Sequence, residues 1–378
     1  MFYLDHAATT PVFPEALTAA LPYLKTEFFN PSSLYAPGVK VSRVVKTARE
    51  RIAHYFGVSP GNVVFCSGAT ESNFMAFMST AFSSRLSGQE IVISAIEHPS
   101  VTKAAEFLKS RGFEIKILPI DLSGTVDLSQ LLSVLSSETR LVSCMAVNNE
   151  IGTLQPLETL GKAIKQYNPK IMFHVDATQA VGKIPLSVRQ AEIDMLSFSG
   201  HKLGAPKGIG ALIMRRDLPV QPLMEGGGQE NGWRGGTENV FGIVALEKAL
   251  TIMEQNRQKT STQMIHYKQK WLDFLGDQHP DLYIYTTDYV QPFYLNFGIP
   301  QVPAEVFLHH LEAKGIFVST GSACSSRKSK VSPVWELVGV PQKKAKAMIR
   351  LSFGYENLEE DQELLFKIFS EVIRDLRA

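Results

Sequence analysis

Cysteine is scarce in this sequence: Cys66, Cys144 and Cys324 are the only three in 378 residues. An odd, scattered set argues against a disulfide framework, and none has a second cysteine or a histidine at zinc-site spacing. Charge of one sign is also lacking, since 38 Lys and Arg stand against 37 Asp and Glu, for a net +1. Nucleic acid is therefore not expected as the main partner. No apolar run approaches the roughly 20 residues that span a bilayer. Met1-Phe2-Tyr3-Leu4-Asp5-His6 has neither a basic n-region nor an apolar h-region, so no signal peptide is expected there. Internal repeats and low-complexity segments are absent too. These absences leave a cytoplasmic enzyme as the expectation, long enough for two lobes and an ample core.

What is present is an alternation. Short apolar runs at Val63–Cys66, Ile91–Ser94, Ile115–Leu118, Leu141–Val147, Lys170–Ala177, Met195–Phe198 and Gly210–Met214 are separated by amphipathic or turn-rich stretches. Strands alternating with helices predict an α/β fold with a mostly parallel sheet covered on both faces. Helices are expected over Pro14–Leu24, Val39–Tyr55, Leu128–Leu135, Val240 to about Leu275, and Glu359–Leu376. Tyr294–Phe297 and Gly315–Val318 read as strands of a smaller α+β lobe. The domain division expected is 13–255 for the large domain, with 1–12 and 256–378 forming the small one.

Polar tags follow the apolar runs, at the carboxyl ends of strands where sites collect in such sheets. In Ser199-Gly200-His201-Lys202 a rigid strand end aims Lys202, which could form a Schiff base with a carbonyl cofactor or be an ordinary turn lysine. Ser67-Gly68-Ala69-Thr70 lies between a strand and a helix, suited to a phosphate or to a plain N-cap. Asp176 ends a strand and, if buried, wants a cation such as a protonated pyridine nitrogen; the bland alternative is a helix cap. Gln179, three residues on, is expected on about the same helical face and could contact the cofactor too. His98 is either a catalytic residue, a flat ring that could stack on an aromatic cofactor and exchange protons, or a structural histidine. Cys324 sits in the polar loop Thr320–Lys330, either a reactive thiol, with Arg327, Lys328 and Lys330 favouring thiolate, or a casual exposed cysteine, whereas Cys66 and Cys144 have apolar neighbours.

Taken together, Tyr3–Thr10, Asn30–Ser33, Ser67–Asn73, Glu97-His98, Asn148–Gly152, His174–Gln179, Ser197–Lys202, Gly321–Cys324 and Arg350–Gly354 follow one another as in a known family. The chain resembles, nearly end to end, the cysteine desulfurases of the NifS/IscS type, in the class V aminotransferase-like group of fold-type I pyridoxal-phosphate enzymes. The resemblance implies a fold-type I architecture and a seven-stranded-type sheet. It implies pyridoxal 5'-phosphate as cofactor, L-cysteine as substrate, L-alanine as product and a persulfide on Cys324. No metal is implied.

Residue by residue, the resemblance implies that Lys202 holds the cofactor and moves the substrate α-proton. Asp176 would pair with the ring nitrogen, Gln179 would approach the phenolic oxygen and His98 would stack on the ring. Ala69, Thr70, Ser199 and His201 would hold the phosphate. Thr237 would reach the cofactor of the neighbouring subunit, which implies a homodimer. Arg350 would bind the substrate carboxylate, with Asn149 near substrate and ring. The implied sulfur acceptor is an iron–sulfur scaffold protein or a tRNA-thiolation carrier. Selenocysteine lyase, class V aminotransferase and a non-catalytic assembly partner are the competing expectations. Tyr35, Gly235 and the basic run Arg327–Lys330 depart from the family's usual pattern and bear on the acceptor and on loop docking.

Overall fold

The computed structural model describes residues 1–222, 224–321 and 331–377. Its first strand, β1 (Phe2–Tyr3), belongs to the C-terminal part of the molecule. The alternating region then supplies β2 (Val63–Cys66), β3 (Glu90–Ser94), β4 (Glu114–Leu118), β5 (Thr139–Ser143), β6 (Met172–Asp176), β7 (Met195–Ser199) and β8 (Gly210–Met214). These seven form one sheet in the order β2-β8-β7-β6-β5-β3-β4. Only β8 runs against its neighbours. The expected α/β class and mostly parallel seven-stranded sheet are thus present. Every residue of β2, β3, β6, β7 and β8 is buried, as strands covered by helices on both faces require.

Element ends differ from the sequence expectation for physical reasons. The helix expected over Pro14–Leu24 is two, Pro14–Ala20 and Pro22–Lys25, divided where Pro22 has no N–H to give. The strand expected over Leu141–Val147 is regular only as far as Ser143, although Cys144 N–H still donates to His174 O at 3.1 Å and Ala146 N–H to Asp176 O at 2.8 Å. After Asp176 the chain makes turns, with Ala180 N–H donating to Ala177 O at 2.9 Å, so Asp176 and Gln179 do not share a helical face.

The remaining strands are β9 (Tyr283–Tyr285), β10 (Tyr294–Gly298), β11 (Ile316–Phe317) and β12 (Met348–Ser352). Strand β10 lies between β12 and β9, all antiparallel, while β11 pairs in parallel with β1. The helix Val240–Gln278 is continuous across the domain boundary expected at 255/256. At its far end Trp271, fully buried, packs edge-on against Phe366 and Phe369, with ring centroids 4.9 Å away in each case. One buried apolar cluster runs unbroken from Leu4 through the large sheet to Ile373. No helix among the described residues is long and apolar enough to cross a membrane.

Two glycines set the distances at the sheet's carboxyl edge. A Cβ on Gly210 would lie 2.8 Å from Gly68 Cα, so β8 lets the turn after β2 come close. Gly152 has φ +74° and lies flat on Tyr294, where a Cβ would fall 2.4 Å from Tyr294 Cβ. Gly152→Ala is therefore expected to destabilise the fold by about 2–4 kcal/mol through strain and overpacking, measured by denaturant unfolding. An unchanged midpoint would mean that this contact yields.

Candidate active site

Because β2, β3, β5, β6 and β7 run the same way, their carboxyl ends share one edge, and each ends in a tag noted in the sequence. A cavity of about 550 Å³ opens there, bringing together Ala69, Thr70, His98, Asn149, Asp176, Gln179, Ser199, His201, Lys202 and Arg350. Thr237 is not among its lining residues; it is exposed and lies in a separate, smaller pocket with Arg234 and Asn239. Cys324, with Arg327, Lys328 and Lys330, lies outside the described residues.

At one end of the cavity the 13-residue helix Ala69–Ala81 begins behind Gly68, which has no side chain to cap it. Its first N–H groups and positive dipole end face the same space as Ser199 and His201, a donor set suited to a dianionic phosphate. Burial first, then the charges of Lys202 and Lys207, lower the His201 pKa to about 4. The ring is therefore neutral at physiological pH, and its Nδ1 meets Thr9 Oγ1 at 3.1 Å.

Asp176 is buried, 4 % exposed. Asn73 Nδ2 donates to its Oδ2 at 2.7 Å and Thr178 N–H to its Oδ1 at 3.0 Å. Both donors are neutral, so the carboxylate suits a cationic group brought into the cavity. Glu97, three residues past β3 and separated from β6 by β5, is different. Burial above all, then the charge of Asp176, pushes its carboxyl up to about 8, so it is held protonated.

Lys202 closes the turn Gly200–Lys202 that follows β7. Its Nζ donates to Ala7 O at 2.6 Å and Ala8 O at 2.5 Å, so the N-terminal segment forms one wall of the site. Gln179 is held by the same segment: its Nε2 donates to Ala7 O at 2.9 Å, and its Oε1 accepts from Tyr294 Oη at 2.7 Å. Arg350, on β12 and 2 % exposed, donates from Nη2 to Asp5 Oδ1 at 2.6 Å and from Nη1 to Asn149 O at 2.5 Å. Its buried Nε has no partner among the described residues. His98 is the N-cap of the helix Pro99–Lys109, its Nδ1 accepting from Ser100 N–H at 3.1 Å. Burial is the main cause that lowers its pKa.

Asp5, the Ala7 and Ala8 carbonyls, Asn73, Ser100 and Tyr294 were not singled out from sequence. Asp5, Ala7 and Asn73 lay within stretches that carried the resemblance, but their partners are 103 to 345 residues away. No spacing rule reaches that far. Tyr294 gave no signal beyond its place in a strand.

The aminotransferase class-V family model matches residues 2–365. The cysteine desulfurase IscS of Dictyoglomus turgidum is 39 % identical over 377 residues, covering 100 % of this chain and 95 % of the relative. The chain belongs to the class-V aminotransferase family, in its cysteine desulfurase branch. A solved NifS-like protein superposes on this desulfurase-family chain with a TM-score of 0.91 at 32 % identity, covering 100 % of this chain and 99 % of that one. A structure of SspA in complex with cysteine has a TM-score of 0.80 at 32 % identity, covering 93 % and 99 %. The family membership agrees with the resemblance read from nine separated stretches of sequence.

Proposed function

We propose that this enzyme is a pyridoxal 5'-phosphate-dependent cysteine desulfurase that converts L-cysteine to L-alanine and carries the released sulfur on Cys324. The observation that supports it most is the convergence of Lys202, Asp176, Arg350 and an uncapped helix N-terminus on one cavity. The residues fit the cofactor: a buried carboxylate that accepts from the neutral donors Asn73 and Thr178 suits a pyridinium, and the helix start with Ser199 and His201 suits a phosphate. When bound, the cofactor supplies a ring that withdraws the electron pair left behind by the substrate's α-proton.

The chain's own residues do the rest. Lys202 holds the cofactor covalently through Nζ and, once released, moves the α-proton. Asp176 keeps a proton on the ring nitrogen, Gln179 donates to the phenolic oxygen and His98 covers the ring face. Ala69, Thr70, Ser199 and His201 bind the phosphate. Arg350 pairs with the substrate carboxylate and Asn149 lies beside substrate and ring. Thr237, outside this cavity, reaches the second subunit's phosphate in a homodimer. Sulfur moves when the Cys324 thiolate attacks the substrate sulfur: an S–S bond forms and the substrate C–S bond breaks. The electron pair stays on carbon, which takes a proton to become the methyl of alanine. L-cysteine and a thiol become L-alanine and a persulfide, so the step needs no outside reductant.

The acceptor we propose is a protein of iron–sulfur cluster assembly or tRNA thiolation, in the cytoplasm. We also keep the division into a cofactor domain, 13–255, and a small domain of 1–12 with 256–378. The pairing of β1 with β11 supports joining the chain's first residues to its last third.

The test is incubation with L-cysteine, scoring alanine and the mass of the Cys324 peptide together. Equal appearance of alanine and persulfide is expected; alanine with no persulfide on Cys324 overturns the sulfur path. Arg350→Lys is a second expected result. One ammonium cannot serve Asp5, the Asn149 carbonyl and a carboxylate as the planar guanidinium can. KM for L-cysteine should rise by roughly ten-fold or more, with a smaller fall in kcat, in steady-state assays of alanine. An unchanged KM would remove Arg350 from the substrate site.

A further inference from the structure

A chain of hydrogen bonds links two residues of the site through two that touch neither each other's backbone nor the expected reacting atoms. His98 Nδ1 lies 2.8 Å from Ser100 Oγ and accepts from Ser100 N–H at 3.1 Å. Asn73 Nδ2 donates to that same Ser100 Oγ at 2.9 Å and to Asp176 Oδ2 at 2.7 Å. We propose that Ser100 and Asn73 are positioning residues that hold His98 as the neutral tautomer protonated on Nε2 and tie its ring to Asp176.

The direction of each bond follows from the two ends. Asp176 accepts backbone N–H from Thr178 and, as a carboxylate, only accepts, so the group facing it from Asn73 is the NH₂. The flipped amide would set Oδ1 against a carboxylate oxygen. With both Asn73 hydrogens given away, Ser100 Oγ is an acceptor toward Asn73 and its own hydrogen is left for His98 Nδ1. The Ser100 backbone N–H points at the same nitrogen. Two donors on Nδ1 exclude a proton there, so the neutral ring carries its proton on Nε2. Asn73 is fully buried and its Oδ1 has no partner among the described residues. An orphan acceptor of that kind is destabilising, a cost this network bears without gaining a bond for it.

The consequence deepens the proposed function and rests on it for its catalytic meaning. A His98 locked in this way offers an N–H from Nε2 and does not accept a proton there. It therefore serves as a donor and a ring cover, and the α-proton is left to Lys202. The charged groups facing the imidazole are Asp176, which favours its protonation, and Lys202, which opposes it, while burial opposes it most. Glu97 next to it in the chain is held protonated up to about pH 8.

The test is NMR of the purified enzyme labelled with 15N-histidine. His98→Gln identifies the signal among the nine histidines. At neutral pH the wild-type His98 should show a protonated Nε2 and a bare Nδ1. Ser100→Ala keeps the backbone N–H but loses the hydroxyl, so proton uptake at His98 should become about five-fold easier, equivalent to ~1 kcal/mol for one lost hydrogen bond. Ser100→Thr should restore the wild-type titration, which a purely structural role would not require. Asn73→Leu should move the same signal in the same direction; if it does not fold, Ser100→Ala decides alone. A wild-type His98 protonated on Nδ1, or a Ser100→Ala titration identical to wild type, overturns the proposal. The tautomer can be read whether or not cofactor is present, so an enzyme that binds no cofactor would sink the function proposed above without touching this result.

Discussion

Lys202→Ala is expected to yield a folded protein with no visible absorbance near roughly 400 nm, where a lysine-linked pyridoxal cofactor absorbs. Alanine formation from L-cysteine should fall by roughly 10²–10⁴-fold or more, because one side chain is asked both to hold the cofactor and to move a proton. Lys202→Arg sharpens the point. It keeps a cation that can reach the Ala7 and Ala8 carbonyls, which Lys202 now holds at 2.6 and 2.5 Å, yet a guanidinium offers no nucleophilic nitrogen at neutral pH. If charge at this position were all that mattered, Lys202→Arg would retain activity and colour. If covalent attachment matters, both variants lose them. Lys202→Ala that stays coloured and makes alanine would end the assignment. Circular dichroism of both variants should match wild type, since Lys202 is only half-buried and closes a three-residue turn.

The parts of this site that were legible in the sequence share one property: each is local. Val63–Cys66 followed by a Ser-Gly turn, Met172–Asp176 ending in an acid, and Met195–Ser199 followed by a turn lysine are strand ends whose tags sit within a few residues. Parallel pairing then puts all of them at one edge. The sheet therefore carried Thr70, His98, Asp176 and Lys202 into one cavity without any long-range information beyond the α/β pattern. What escaped was the second set of contacts. Asp5 meets Arg350 across 345 residues and Tyr294 meets Gln179 across 115, so these partners follow from how the two ends of the chain close on the sheet. Ser100 escaped for a different reason. It is close to His98, but a serine in the first turn of a helix has an ordinary capping role, and only the Asn73 bond gives it another. Element ends shifted where backbone chemistry overrode apolar pattern, as at Pro22.

Cys324→Ala separates a desulfurase from a transaminase on the same scaffold. The other two cysteines are poor candidates for carrying sulfur. Cys66 is 3 % exposed, and burial, with the charge of Glu71, drives its thiol far above the ordinary range. Cys144 is fully buried, and burial followed by Glu97 raises it too. A thiol that stays protonated and out of reach of solvent neither attacks a substrate sulfur nor delivers one to an acceptor. Cys324, in its run of Gly, Ser and basic residues, is the remaining thiol in the chain. The variant should keep the cofactor's absorbance, because none of the described residues lining the cavity has changed. It should lose sulfide production from L-cysteine in the presence of a reductant by at least roughly a hundred-fold, the scale of removing an acting catalytic group. A transaminase has no need of that thiol, so amino-group transfer to a keto acid that survives in Cys324→Ala, with no sulfide formed by wild type, would move the enzyme to the other branch. Undiminished sulfide from Cys324→Ala would leave the fold and the cofactor site standing and remove only the sulfur path. That outcome would place the sulfur on a thiol outside the chain, since Cys66 and Cys144 are buried and the same balance holds for any attacking thiol.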